Sequence, residues 1–186
     1  MMKRIGLFID GSNIYASARA LGFKVDFTKL LNHYREQGDV VNAFYFTALP
    51  SKDVESPLRR MVDYVRYNHF SVVEKETREY VDSDGMKKLK GNMDVEIACY
   101  AQETASTMTH MVLFSGDGDF RMLLESLQRR HNIHCTVVSA RSLTANVLRS
   151  QANEFVDLTT LKDKFYHNTE APDVTKPVRR WKFSSE

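Results

Sequence analysis

Short apolar runs alternate with amphipathic stretches along the chain, the pattern of βαβ units around a mostly parallel sheet. The run 5–9 predicts a first strand, closed by Asp10-Gly11-Ser12-Asn13. Helices are expected over 14–21 and 27–35, the second stopped by Gly38, and the β-branched and aromatic run 40–46 predicts a second strand. Pro57 suits the first turn of a helix reaching residue 68, because Leu58, Met61, Val62 and Val65 recur three and four positions apart. A third strand is expected over 70–73.

The stretch 74–90 is the least regular. It holds the turn signal Ser83-Asp84-Gly85 and the basic cluster Lys87, Lys88 and Lys90, and reads as a loop or small hairpin projecting from the sheet. Asn92 is a good N-cap for a helix over 93–103. A fourth strand over 111–114 leads through Ser115-Gly116-Asp117-Gly118-Asp119 into a helix over 120–130. Strands over 133–138 and 155–158 then alternate with helical segments over 143–150 and 161–165. One domain over 1–168 accounts for this pattern. From Thr169 the chain is polar and carries Pro172 and Pro177, which predicts a flexible tail over 169–186.

Composition narrows the class. At 42% apolar and 27% charged, the 186-residue chain has the balance of a globular domain, which excludes a disordered one. No apolar run approaches the roughly 18–20 residues a bilayer span needs, and the opening apolar stretch is too short for a signal peptide. Cys99 and Cys135 sit inside apolar patterns and read as small reduced core residues of a cytoplasmic protein. A formal charge of +2 demands neither nucleic acid nor an acidic partner, so function must come from particular residues.

Carboxylates are those residues. Open parallel sheets bind ligands beyond the carboxyl ends of their strands. Asp10 ends the first strand there, and Asp117 and Asp119 follow the fourth. Asp94 arrives on a helix whose apolar stripe, Ile97, Ala98 and Ala101, lies three, four and seven positions on. That spacing turns Asp94 toward the sheet and Glu96 away to solvent. Each acid also has an ordinary explanation. Asp119 suits the N-cap of the following helix, Asp10 a cap or Asx turn, Asp117 turn chemistry, and Asp94 a favourable charge at a helix N-terminus. Together at one sheet end they repel one another, by roughly 1 kcal/mol per pair at ~4 Å in water and about 4 at an effective dielectric near 20. Converging acids call for protons, basic partners or a hard divalent cation such as Mg²⁺ or Mn²⁺.

The three segments Leu7-Phe8-Ile9-Asp10-Gly11-Ser12-Asn13, Lys90-Gly91-Asn92-Met93-Asp94 and Phe114-Ser115-Gly116-Asp117-Gly118-Asp119-Phe120 resemble the NYN domain family of PIN-like nucleases, in its bacterial LabA-like branch. The resemblance runs in order from Arg4 to Leu161. It implies a three-layer α/β/α sandwich with a central mostly parallel sheet, PIN-like or Rossmann-like, that cuts RNA with acids binding Mg²⁺ or Mn²⁺. Carried over by motif, Asp10, Asp94, Asp117 and Asp119 are the catalytic and metal-binding set, with Asp10 and Asp117 as principal ligands. Asn13 is an auxiliary polar group. Relatives often close on Ala-Asp-x-Phe-x-Asp-Leu, where this chain has Asn153 in place of the first acid, so position 153 is not counted as a ligand.

An acidic pocket that handles phosphate needs positive charge at its rim. Lys87, Lys88 and Lys90 are the best-placed RNA-binding candidates, against the alternative of a solvated loop. Arg121, with Arg129, Arg130 and Arg141, extends the track, or supplies ordinary exposed helix charge. Arg179-Arg180-Trp181-Lys182 pairs bases with an aromatic suited to stacking on a nucleobase or to packing on its own domain. Ser12, Asn13 and Ser115 are candidates to hydrogen-bond ligand or phosphate, or simply to stabilise turns.

His131 and His134 straddle a turn, and no Ser-His-Asp logic, P-loop or G-x-G-x-x-G is present. A haloacid-dehalogenase-like phosphatase needs an acid where Ser12 stands, and a metal-dependent adhesion module wants a serine where Ile14 stands. A Mg²⁺- or Mn²⁺-dependent ribonuclease is the leading reading. A non-catalytic regulatory NYN domain that binds RNA or protein is the rival, since some relatives are known mainly through regulatory roles. A homodimer is left open by the exposed aromatics.

Overall fold

The computed structural model describes residues 2–50, 57–81 and 87–165. The expected tail from Thr169, the Arg179–Lys182 segment and the turn signal 83–85 lie outside them. β1 (Arg4–Asp10) runs directly into α1 (Gly11–Ala20), and α2 (Phe27–Arg35), β2 (Asp39–Leu49), α3 (Pro57–Tyr67) and β3 (Ser71–Glu76) follow. β4 (Arg78–Val81) and β5 (Lys87–Lys90) pair antiparallel as a separate hairpin. α4 (Asp94–Glu103) leads to β6 (His110–Phe114), and a 3₁₀ turn over Gly118–Phe120 opens α5 (Arg121–His131). β7 (His134–Ser139), α6 (Asn146–Gln151), β8 (Glu154–Asp157) and α7 (Lys162–Phe165) complete the fold.

Six strands form one parallel sheet in the order β3-β2-β1-β6-β7-β8. The chain winds outward from β1 to β3, then returns through α4 to lay β6 on the other side of β1. The strand order therefore reverses between β1 and β6, and a crevice opens beyond their carboxyl ends.

Both faces are dry, which explains why β1 reads as a continuous apolar run rather than an alternating one. Leu7 and Ile9 face a core with Ile14 of α1, Leu30 and Tyr34 of α2, Val65 of α3 and Phe165 of α7. Phe8, between them, faces the opposite core with Ile97 and Ala101 of α4, Leu124 and Leu127 of α5 and Leu148 of α6. The result is a three-layer α/β/α sandwich.

Several boundaries differ from expectation for local reasons. α1 begins at Gly11 rather than residue 14, because the Asp10 side chain caps it by accepting from the amides of Ser12 and Asn13. The helix expected over 120–130 starts as a 3₁₀ turn and runs on to His131, ended by Asn132 in the left-handed region at φ 52°. The helix expected over 143–150 divides into a 3₁₀ turn over Arg141–Leu143 and α6. Cys135 is buried, but Cys99 is exposed, on the side of α4 away from Ile97 and Ala101. It is not the core residue expected.

Tyr45 of β2 is fully buried, in edge-on contact with the ring of Phe27, and its hydroxyl has no hydrogen-bond partner among the described residues. Burial pushes the phenol well above its ordinary pKa, with the field of Asp10 adding to the shift. Tyr45→Phe is expected to leave stability unchanged or raise it by about 1 kcal/mol in urea unfolding. A loss of that size would show the hydroxyl to be bonded.

Candidate metal centre

Asp10 is the last residue of β1 and is buried. Its Oδ1 accepts from the Ser12 amide at 3.1 Å, the Ser12 hydroxyl at 2.7 Å and the Asn13 amide at 3.2 Å. Its Oδ2 accepts from the Ser115 hydroxyl at 3.1 Å. The tight start of α1 needs Gly11, where a Cβ would stand 2.6 Å from the Tyr45 hydroxyl and 2.8 Å from the Phe46 carbonyl oxygen. Asp10 thus has fixed donors for its charge, with one lone pair of Oδ2 still open.

The same network joins the two central loops. Ser115 Oγ accepts from the Asp117 amide at 3.2 Å while donating to Asp10. Asn13 Oδ1 accepts from the Gly116 amide at 2.9 Å and the Ser139 hydroxyl at 3.3 Å. Ser12, Asn13 and Ser115 spend their polar atoms holding the loops after β1 and β6 in register. Ser139, at the end of β7, is a member of this network that sequence reasoning missed. A lone serine closing an apolar strand carries no signal of its own.

Asp94, Asp117 and Asp119 meet just beyond. One carboxylate oxygen from each lies within 4.8 Å of the other two. Asp94 is held by Asn92, whose Oδ1 accepts from the Asp94 amide at 2.7 Å and whose Nδ2 donates to Asp94 Oδ2. Asn92 is therefore an orienting clamp, and Met93 is the N-cap residue of α4. Asp117 Oδ1 accepts from the Asp119 amide at 3.0 Å, so Asp117 caps the 3₁₀ turn. The capping role expected for Asp119 is not filled by it. Phe120 precedes α5 without a side-chain cap, and the exposed Asp119 carboxylate accepts no hydrogen bond among the described residues. Asp10 is not among the three oxygens grouped within 4.8 Å; its carboxylate accepts from Ser12, Asn13 and Ser115.

No described lysine or arginine pairs with the three acids. Burial raises the Asp94 pKa against the pull of the Asn92 amide, and the charges of Asp117, Asp10 and Asp119 raise it further. This donor set suits a hard cation. Carboxylate oxygens are what Mg²⁺ and Mn²⁺ prefer.

The other predicted residues fall outside the cluster. Lys87, Lys88 and Lys90 lie on β5, with side chains outside the described set. Arg121 pairs with Glu125 at 3.3 Å, Arg129 reaches the same carboxylate at 3.8 Å, and Arg141 pairs with Asp157 at 3.5 Å. Glu96 does not simply face solvent. Burial pulls its carboxyl upward, but the Lys75 ammonium at 2.9 Å outweighs that and holds it below its ordinary range. Asn153 accepts from the Cys135 amide at 2.8 Å and from Gln128 at 2.9 Å, before β8 and away from the acids. A hollow of about 750 Å³ lies at the amino ends of the strands, among Lys3, His33, His110, His134 and Glu154. Its charges are mixed and no acids converge there.

The NYN domain family profile matches residues 4–159. Low amplitude and bright protein LabA of Synechococcus elongatus is 32% identical over 182 residues, 95% of each chain. The crystal structure of a protein of unknown function from Vibrio parahaemolyticus superposes with a TM-score of 0.74 at 27% identity, covering 89% of this chain and 97% of that one.

Because the folded-state pKa of Asp94 lies above its unfolded value, its charge opposes folding of the metal-free protein. Its favourable contribution is complete below the ordinary carboxylate range and is lost as pH rises through the raised value. Asp94→Asn is expected to stabilise the metal-free protein at pH 7 by about 1 kcal/mol, the solvent-screened end of the range for a half-exposed group. The gain should vanish near pH 3. Unfolding in EDTA at both pH values checks this, and a destabilised variant at pH 7 would contradict it.

Proposed function

The chain belongs to the NYN domain family, in its LabA-like branch, and from that footing we propose that it is a metal-dependent ribonuclease. One observation carries the reading. Carboxylates from α4 and from the loop after β6 converge within 4.8 Å at the reversal point of the sheet, with no described cation to neutralise them. Structural acids are normally paired or spread apart, and acids left facing one another are a poised ion site.

Asp94, Asp117 and Asp119 hold the ion, and Asp10 completes the acidic floor through Oδ2, directly or through a water. Bound Mg²⁺ or Mn²⁺ supplies charge neutralisation at the phosphoryl oxygens and a water of lowered pKa. The chain's own groups do the positioning. Asn92 fixes the direction of the Asp94 carboxylate, Ser115 ties Asp10 to the Asp117 backbone, and Asn13 locks the Gly116 amide. The lysines at 87, 88 and 90 lead straight into Asp94 through Gly91 and Asn92, which supports a role in drawing the RNA backbone toward the acids. Arg121 serves the same end only by leaving Glu125. Two free cysteines fit the cytoplasmic setting expected of the chain.

Labelled single-stranded and structured RNA, incubated with Mn²⁺, Mg²⁺ or EDTA, tests the reading. Cleavage is expected with either ion and not in EDTA. Asp94→Asn and Asp117→Asn should each lower the rate about a hundredfold or more, several kcal/mol of barrier. Each should also lose most of the metal-induced rise in melting temperature, since an ion bound only to the native state raises stability by about 2.7 kcal/mol at a hundred times its Kd. Tight RNA binding without cleavage in any ion would favour the regulatory binding module instead.

A further inference from the structure

Seven large apolar side chains stand exposed among the described residues: Met2, Tyr15, Tyr67, Val95, Met122, Leu143 and Val147. Single exposed apolar residues are ordinary, but a concentration around one site is not. Five of the seven lie on segments that frame the acidic trio. Val95, 71% exposed, follows Asp94 in the first turn of α4, turned away from the buried Ile97 and Ala101. Met122, 62% exposed, is three residues past Asp119 in the first turn of α5. Val147, 55% exposed, stands against Gly118, where a Cβ would lie 3.1 Å from its Cγ2. The backbone of Leu143 closes on Gly116 so tightly that a Cβ there would lie 2.3 Å from the Leu143 carbonyl oxygen. Tyr15, 57% exposed, sits one helical turn beyond Ser12, whose hydroxyl donates to Asp10.

The described charges nearby are already engaged. Arg121 is paired with Glu125, Lys75 with Glu96, and Arg141 with Asp157, and both Arg141 and Arg149 lie over the Phe155 ring. Among the described residues of these segments, what is left exposed and unengaged is largely apolar. Paired bases in a duplex are stacked inside and present sugar and phosphate, which such a rim does not match. Unpaired bases splay outward and need planar or apolar cover.

We propose that Tyr15, Val95, Met122 and Val147 form a collar that packs against the unpaired bases on either side of the phosphate at the trio, making base contact a determinant of substrate choice. The proposal rests on the ribonuclease reading. Tyr15 supplies a stacking face, and the aliphatic residues cover the bases on the opposite side of the crevice.

The test compares kcat/KM in Mn²⁺ for an unpaired RNA oligomer and for the same oligomer with the bases removed from three nucleotides on each side of the cleaved bond. In the native protein the intact oligomer is expected to be the better substrate. Tyr15→Ala, and separately the pair Met122→Ser and Val147→Ser, should each lower the ratio of intact to base-free kcat/KM about tenfold, mainly through KM. Retention of the Mn²⁺-induced thermal shift shows that the acids are undisturbed. Tyr67→Ala, an exposed aromatic at the far end of α3, should leave the ratio unchanged. Native cleavage with an unmoved ratio in both collar variants overturns the collar alone, as does an equal loss on both oligomers. Absence of any RNA cleavage by the native protein overturns the ribonuclease reading and the collar with it.

Discussion

Four aspartates at one end of a sheet cannot all be charged, desolvated and unpartnered at once, and the loops around them divide that burden unequally. Asp10, the most buried, receives two backbone amides and two hydroxyls. Fixed donors of this kind support a carboxylate where water cannot reach it. Asp94, Asp117 and Asp119 lie nearer solvent and have no described basic partner, so their mutual repulsion is left to water or to a cation. The inner acid is thereby a structural anchor, and the outer three keep carboxylate oxygens open toward solvent.

The anchor also explains the local backbone. A helix that starts at the residue after a strand needs a capping side chain and a close approach to the neighbouring strand. Asp10 supplies the first and Gly11 permits the second. Ser115 and Asn13 then bind the β6 loop to the β1 loop, so that Asp117 is placed by the same hydrogen bonds that satisfy Asp10. Removing either loop's donors would disturb both the buried charge and the placement of Asp117.

Charge at the rim follows a different logic. Arg121 and Arg129 of α5 and Arg141 before α6 are drawn into local pairs, which are worth little individually but leave those guanidinium groups occupied. Positive charge for phosphate is therefore sought at β5, while the helices that start around the trio carry exposed valine, methionine and tyrosine.

Sequence alone determined the layer class, the order of strands and helices along the chain, and the acids that stand at the sheet end. Hydrophobic periodicity reports burial directly, and a glycine-punctuated acid after an apolar strand marks a sheet end. Asp94 was legible for the same reason, from the stripe formed by Ile97, Ala98 and Ala101. The tertiary structure decided how those acids differ. That Asp10 is enclosed by Ser115, a residue 105 positions away, while Asp119 accepts from none of the described residues, depends on contacts between loops that no local pattern encodes. The exposure of Cys99, the pairing of Glu96 with Lys75 and the gathering of apolar side chains around the trio were decided there too. Each depends on which helix face meets which neighbour, and that is settled only when the β1–β6 reversal brings distant segments together.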